Sequence, residues 1–562
     1  MHQQVIKYRV FVLLPPIHLQ TLRSVSAVSA RRTYDFDACP EAEEVDGVAV
    51  ITKPQALTRV EGKRRARMQE KRRRYFQLYG VDQNRAKVII SCKRSEYNHY
   101  DGQSYPRGKI PLVTDHWAKA KYVGDHFSIN SHGKNPSLLS SHLEDTPLDF
   151  SGYGLKQQIL EAISRMGYRR PTLIQHYGIP QVIKGGNTLL AAETGSGKTL
   201  AYAAPILHHL MSISVEKVDN PCDTASCSPR AVVLTRGREL AMQTCGMIRL
   251  LAEKCSRLAV ANCLSSMSEA EEAEMMRADV IVGTPGWMAH LGAERRLLLD
   301  RISHVVIDEA DSLLEQDYHS AVQELLADGQ IQGCGSVSQL GMAQLILSSA
   351  TFPRDLEPIL EGTVDVTSLT FVRSDNLHQV LPHVPQLFLR LSEPTKTEKL
   401  LSMLKQKTTS RALPSTLVFA NSASQVQWLW QFLNQHASLR CSMLHELMSK
   451  EDRQAHVEAF QLAQVPVMVA TDLGARGLDT TGVRHVVNYE FPISVADYIH
   501  RVGRVGRVGS KVCHVTNFIQ RKREVEVVNI IEESVRRCRA IPNVHQPLED
   551  ETDSIAEDDE AV

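Results

Sequence analysis

A chain of 562 residues, 43% hydrophobic and 23% charged, has an ordinary globular balance and enough length for two or three domains. Lysine plus arginine and aspartate plus glutamate stand at 64 each, so net charge singles out no partner and only its distribution can. Eleven scattered cysteines argue against a disulfide framework and for a reducing compartment, and no apolar run approaches the roughly 18 residues of a membrane span.

Residues 1–34 contain Lys7, Arg9, Arg23, Arg31 and Arg32, several serines and no acid before Asp35, the composition of a mitochondrial targeting segment. A basic tail is the plainer alternative, because Pro15 and Pro16 interrupt an amphipathic helix. We expect import into the mitochondrial matrix, with a nuclear pool left open.

Residues 35–147 read as a basic, partly disordered N-terminal extension. Within it TRVEGKRRARMQEKRRR ends at Arg74, and Tyr75, Phe76 and Tyr79 follow. Such a run suits a phosphate backbone, but a solvated helix face or a targeting signal fits the same residues.

From 148 to 372 short β-rich runs alternate with helical stretches, the pattern of an α/β fold with a parallel sheet. The expected strands are NTLLAA, AVVLTR, ADVIVG, HVVIDEA and QLILSSA. A second series occupies 387–545: STLVFAN, RCSMLH, VPVMVAT, HVVNYEF and KVCHVTNF. Residues 373–386 have weak periodicity and two prolines and read as a linker, and 546–562 as an acidic disordered tail. Cys222 and Cys227 are the one close cysteine pair, in a polar loop without the second ligand pair of a zinc site.

The first strand runs into AETGSGKT, Ala192 to Thr199, directly before the helical run LAYAAPILHHL. In Glu193, Thr194, Gly195, Ser196 and Gly197 the small residues let backbone N–H groups turn toward phosphate oxygens, and the helix N-terminus adds its dipole. Lys198 then reaches terminal phosphates and Thr199 ligates Mg²⁺, although Ala192 replaces the first glycine of the general pattern. HVVIDEADSLL ends a strand in Asp308, Glu309 and Asp311. Asp308 is placed for the same Mg²⁺, and Glu309 to orient or deprotonate a water. The four residues DEAD also suit an acidic helix N-terminus.

These motifs resemble the DEAD-box family of ATP-dependent RNA helicases from about Phe150 to Phe518. The resemblance implies two tandem RecA-like P-loop domains, with ATP and Mg²⁺ bound between them. GYRRPTLIQ looks like the Q motif, which assigns adenine recognition to Gln175, stacking to Tyr168 and the upstream aromatic to Phe150. SAT, Ser349, Ala350 and Thr351, resembles the element that couples hydrolysis to RNA work, with Asp311 beside it. VFANS, ATDLGARGLD and HRVGRVGR resemble the motifs of the second domain and assign Asp479 to the nucleotide. They imply that Arg504 and Arg507, with His500, stabilise the transferring phosphoryl group, and that Arg501 makes structural ion pairs. Matching positions for backbone contacts to RNA are Arg238, Thr284, Gly286 and Thr471.

Some positions depart from the family pattern: RGREL replaces PTREL, Trp287 an arginine, Gly474 an alanine and Val505 a threonine. Trp287 either stacks on RNA or packs in the core. Presequence, extension and core together resemble mitochondrial helicases of large ribosomal subunit assembly. The expected partners are therefore structured RNA, mitochondrial ribosomal RNA among the candidates, and assembly proteins, with a monomeric core and no membrane. An ATP-gated RNA clamp that rarely unwinds is the competing reading, and a DNA translocase a third.

Overall fold

The structure, a computed structural model, describes residues 41–45, 48–52, 66–67, 70, 87–105, 110–139, 149–212, 226–255, 258–265, 267–314, 318–329, 343–352, 356, 360, 364, 366, 369–408, 414–436, 439–475, 480–510, 512–542 and 544. The targeting segment, the basic run through Arg74 apart from residues 66, 67 and 70, the acidic tail, Cys222 and Asp479 lie outside them. Residues Met1–Tyr75 form a unit of their own, in which β1 (Glu41–Val45) pairs antiparallel with β2 (Val48–Thr52).

The larger unit opens with three short strands, β3 (Val88–Cys92), β4 (His99–Tyr100) and β5 (His126–Ile129). Then come β6 (Thr188–Ala191), β7 (Ala231–Leu234), β8 (Val260–Cys263), β9 (Val280–Gly283), β10 (His304–Asp308), β11 (Gln344–Ser349) and β12 (Thr370–Arg373). After residues 374–385, which carry no helix or strand, follow β13 (Gln386–Arg390), β14 (Thr416–Phe419) and β15 (Cys441–Leu444). The series ends with β16 (Val467–Ala470), β17 (His485–Asn488) and β18 (His514–Ile519).

The first lobe is a parallel sheet in the order β12-β6-β11-β10-β7-β9-β8. Its five inner strands are buried throughout because side chains alternate between two apolar layers, whereas the edge strand β12 buries only Val372. Leu190, Val233, Val282, Val306 and Ile346 point into one layer, and Leu189, Val232, Ile281, Val305 and Leu345 into the other. The order places β11 between β6 and β10, so the segments after three strands far apart in sequence meet at one carboxyl edge. A ligand crevice forms at such an edge.

The second sheet runs β15-β16-β14-β17-β18-β13-β5-β3-β4. Its first six strands are parallel, and the last three add antiparallel. Here the structure corrects the expected division of the chain, since part of the extension assigned to 35–147 belongs to the second lobe. Phe127 on β5 is fully buried and stacks on Phe388 of β13, with ring centroids 4.6 Å apart. Trp117 is also fully buried and donates its indole N–H to Asp125, which pairs with Arg94 at 3.0 Å. Helix Lys522–Arg536 locks this addition from below. Its Glu532 carboxylate accepts from the Val113 and Thr114 N–H groups and the Thr114 hydroxyl, and pairs with Arg536 at 2.7 Å.

Candidate active site

The loop after β6 leads into α1 (Lys198–Ser212) and turns on two glycines in the left-handed region, Gly195 at φ +79° and Gly197 at φ +91°. Neighbours press on both. A Cβ on Gly197 would stand 2.3 Å from the Gln175 amide nitrogen, and one on Gly195 2.5 Å from Cγ of Arg507. An arginine of the second lobe therefore lays its stem directly on the loop of the first.

Lys198 donates to the carbonyls of Ala192 at 2.6 Å and Glu193 at 3.1 Å. Burial pushes its ammonium below the ordinary lysine range, against the opposing pull of Asp308 and Asp311. The hydroxyls of Thr194 and Ser196 in the same loop are buried without a hydrogen-bond partner. Buried hydroxyls left this way are uncommon and mark a place where a polar ligand fits.

Gln175 has both ends of its amide engaged, accepting from the Thr172 N–H at 2.9 Å and donating to the Gly197 carbonyl at 3.0 Å. It ties the start of its own helix to the loop. Tyr168 is 45% exposed at the mouth of the cleft, where a ring is free to stack. Phe150 departs from expectation: it is only 5% exposed, packs in the first-lobe core edge-on to Tyr153, and does not line the cleft. An aromatic flanked by apolar neighbours buries more area in the core than it would on a rim.

At the end of β10, Asp308 accepts from the Tyr202 hydroxyl at 2.9 Å and from the Glu309 N–H at 3.1 Å. Burial pushes the Asp308 carboxyl above its ordinary range. Sequence reading missed Tyr202, whose only signal is its position one turn beyond Lys198 on a buried helix face. Glu309 lies at φ +52°, an uncommon and strained conformation for a side-chain-bearing residue, and faces the cleft.

Asp311 joins three motifs. It accepts from the Thr351 N–H at 2.8 Å and the Thr351 hydroxyl at 2.6 Å, and stands 3.4 Å from Nε2 of His500 across the lobes. The Ser349 hydroxyl donates to the Thr351 carbonyl, and Ala350 lines the cleft. Burial alone would raise the Asp311 carboxyl, yet His500 and Thr351 together hold it well below the carboxylate range. Burial alone would lower His500, yet Asp311 holds it above the ordinary histidine range, helped by Glu309 and opposed by Arg504.

His500 and Arg501 lie on α2 (Val495–Val502), which is N-capped by the side chain of Ser494. Arg501 is 2% exposed and faces inward, meeting Asp472 at 2.5 Å, the Glu490 carbonyl at 2.7 Å and Asn421 at 2.7 Å. Arg504 and Arg507 come after the helix and face the other way. They share one cleft of about 800 Å³ with Gln175, Lys198, Thr199, Asp308, Glu309 and His500, within the range of small-molecule sites.

The family model described as DEAD/DEAH box helicase matches residues 172–359, and the helicase conserved C-terminal domain matches 395–509. The human protein named probable ATP-dependent RNA helicase DDX28 is 33% identical over 488 residues, covering 82% of this chain and 87% of its own. Its Mus musculus counterpart is 33% identical over 479 residues, with the same coverage. The chain is an ATP-dependent RNA helicase of the DEAD-box family.

Two solved structures share its fold. S. cerevisiae Dbp5 bound to RNA and ADP BeF3 covers 69% of this helicase and 94% of its own chain, at 23% identity and TM-score 0.56. Mss116 bound to ssRNA and UDP-BeF covers 73% and 79%, at 22% identity and TM-score 0.59.

A second groove of about 750 Å³ in this DEAD-box helicase is lined by Arg238, Glu239, Glu446, Lys450 and Arg453. Arg453 crosses the lobes to Glu239 at 2.9 Å, Arg238 donates to the Ser265 carbonyl at 3.1 Å, and the Thr471 hydroxyl donates to Glu446 at 2.8 Å. Thr284 precedes helix Pro285–Ala293, and Gly286 is exposed on its first turn. Trp287 packs against the first-lobe core and tilts on His290 at 5.0 Å, so the structure favours packing over stacking for this ring.

Proposed function

We propose that this helicase binds ATP in the interlobe cleft and that closure of the lobes on it is the mechanical step acting on RNA. The observation that carries the reading is the division of the site, with the phosphate loop on one lobe and Arg507, its stem on Gly195, on the other. In this reading Lys198 leaves the Ala192 and Glu193 carbonyls for the terminal phosphates. Thr194 and Ser196 add hydroxyl donors, and Glu309 orients the attacking water. Arg504 and Arg507 stabilise charge developing on the transferring phosphoryl group. His500, Asp311 and Thr351 relay closure between lobes, and Tyr168 and Gln175 frame the base.

The hydroxyl of Thr199 and the carboxylate of Asp308 are hard oxygen donors in one cleft, which suits Mg²⁺. When bound there, Mg²⁺ neutralises phosphate charge. The Tyr202 hydroxyl orients Asp308 from behind. Arg238, Thr284, Gly286 and Thr471 are proposed to meet the RNA backbone, with sequence read little if at all.

We further infer an organisation of two RecA-like lobes, 148–372 and 387–545, the second enlarged by strands from 88–129. A role in mitochondrial ribosome large subunit assembly is supported by the composition of residues 1–34 and by the basic run, which suits a long polyanion. The test is a pair of measurements on the full chain. Separation of a short RNA duplex that requires ATP supports a helicase, whereas slow RNA release without separation supports the clamp. ATP turnover indifferent to RNA would defeat both.

The His500–Asp311 pair makes closure dependent on pH. The pKa of His500 is raised on folding, so its contribution is complete below about 6.5 and is lost as pH rises through the elevated folded value. Asp311 is lowered, so its contribution is present above about 3.9 and fades only in acid. The gap in melting temperature between wild type and His500→Gln is therefore expected to be widest near pH 6 and to shrink toward pH 9. A gap that grows with pH would exclude the pair.

A further inference from the structure

Among the described residues two segments cross between the lobes. One crossing is the stretch 374–385 that leads into β13, and the other is residues 130–139, which leave β5 at the edge added to the second sheet. The two crossings run side by side, for the N–H groups of His132 and Gly133 both donate to the Pro382 carbonyl, at 2.9 and 3.2 Å. A Cβ on Gly133 would stand 3.0 Å from Cβ of Pro382, so the approach leaves little room for a side chain.

Residues 130–139 then reach the first lobe at the nucleotide site. The Ser137 carbonyl accepts from the Leu173 N–H at 2.9 Å, and Leu138 bridges Thr172, at the start of the helix that carries Gln175. On the way Asn135 donates its amide to the Gly506 carbonyl at 3.0 Å, in the turn between Arg504 and Arg507. The Asn135 side-chain oxygen accepts from the Ser137 N–H at 3.0 Å, which fixes which end of the amide faces Gly506. His383 of the other crossing stands 2.7 Å from the same carbonyl. Gly506 is itself at φ +74°, and a Cβ there would strike Val384 at 2.5 Å.

We propose that residues 130–139 are a second interlobe strap and that Asn135 is a positioning residue for ATP hydrolysis, holding the turn that aims Arg504 and Arg507. The inference rests on the reading of the cleft as the hydrolytic site. It concerns residues outside both matched family regions, which begin at 172 and end at 509. One amide thereby links the arginine turn to the strap, and the next residues link the strap to the Gln175 helix. Nucleotide bound on the first lobe and arginines carried by the second are registered through a segment of neither core.

The test measures RNA-stimulated ATP turnover, binding of a fluorescent ADP analogue and melting temperature for wild type, Asn135→Ala and Asn135→Asp. The aspartate keeps the shape and the bond to Ser137 but turns an acceptor toward the Gly506 carbonyl. Both variants are expected to lose about three- to tenfold in kcat, the scale of one hydrogen bond, with ADP affinity and melting temperature near wild type. Asn135→Ala and His383→Ala are expected to be non-additive because they share an acceptor. An active wild type matched in kcat by both variants would overturn the strap proposal alone, as would a lowered melting temperature with unchanged kcat. A wild type without ATP turnover would overturn the reading of the cleft and the strap with it.

Discussion

Replacing Arg507 by alanine is expected to lower RNA-stimulated ATP turnover by about 10³- to 10⁵-fold, equivalent to about 4 to 7 kcal/mol of barrier. The first lobe supplies one lysine to the terminal phosphates, while charge spreads over the oxygens of the group in transfer. A second cation must come from elsewhere, and the planar fork of an arginine meets phosphate oxygens in pairs. Arg507 is delivered by the other lobe, and its stem already rests on Gly195. Because the side chain is only half-buried, its removal should change stability by no more than about 0.5 kcal/mol. Turnover at saturating RNA, read beside the melting temperature, checks both statements. Near-normal turnover in an Arg507→Ala protein that binds ATP would remove this residue from the mechanism. Arg504→Ala is expected to share the kinetic loss, but Arg504 is 4% exposed, so its stability must be measured separately.

The second large effect concerns stability. Glu532→Ala is expected to cost about 3 to 5 kcal/mol, since it leaves the Arg536 guanidinium buried without its carboxylate. It also strips an acceptor from the Val113 and Thr114 N–H groups, more than 400 residues earlier in the chain. For a lobe of this size the shift in melting temperature is roughly 6 to 20 °C. Differential scanning calorimetry that resolves the two lobes should place the loss in the second-lobe transition. A change confined to the first lobe, or none at all, would show that the early strands are not part of the second core.

These two residues also mark how far local sequence carries. The phosphate loop is legible because strand, small residues, lysine and helix follow one another within a single stretch, and each step obeys a local rule. The carboxylates after β10 are legible for the same reason. Arg501 could be told apart from Arg504 and Arg507 only through resemblance, because the three share one spacing. The structure separates them because the helix ends at Val502: Arg501 is still helical and turns inward onto Asp472, while Arg504 and Arg507 lie in the loop beyond it and face the cleft.

Other features had no local signature. The strands of 88–129 are short and partly polar, and they join the second core through β5, which pairs with β13 so that Gln386 lies opposite Ile129, and through the helix that carries Glu532. Phe150 carries an aromatic ring in the expected place, yet the apolar neighbours that bury it come from several helices. Tyr202, Asn135 and Glu532 each act on a partner at least a hundred residues away.

By itself the sequence determined the nucleotide loop, the acidic strand end, two α/β series and the family resemblance, because each is written in residues that are neighbours along the chain. Only the tertiary structure decided which lobe owns the early strands, which partners turn Arg501 away from the cleft and what spans the seam. Those outcomes depend on burial and hydrogen bonding between segments hundreds of residues apart, and such pairings leave no periodicity or spacing in either segment alone.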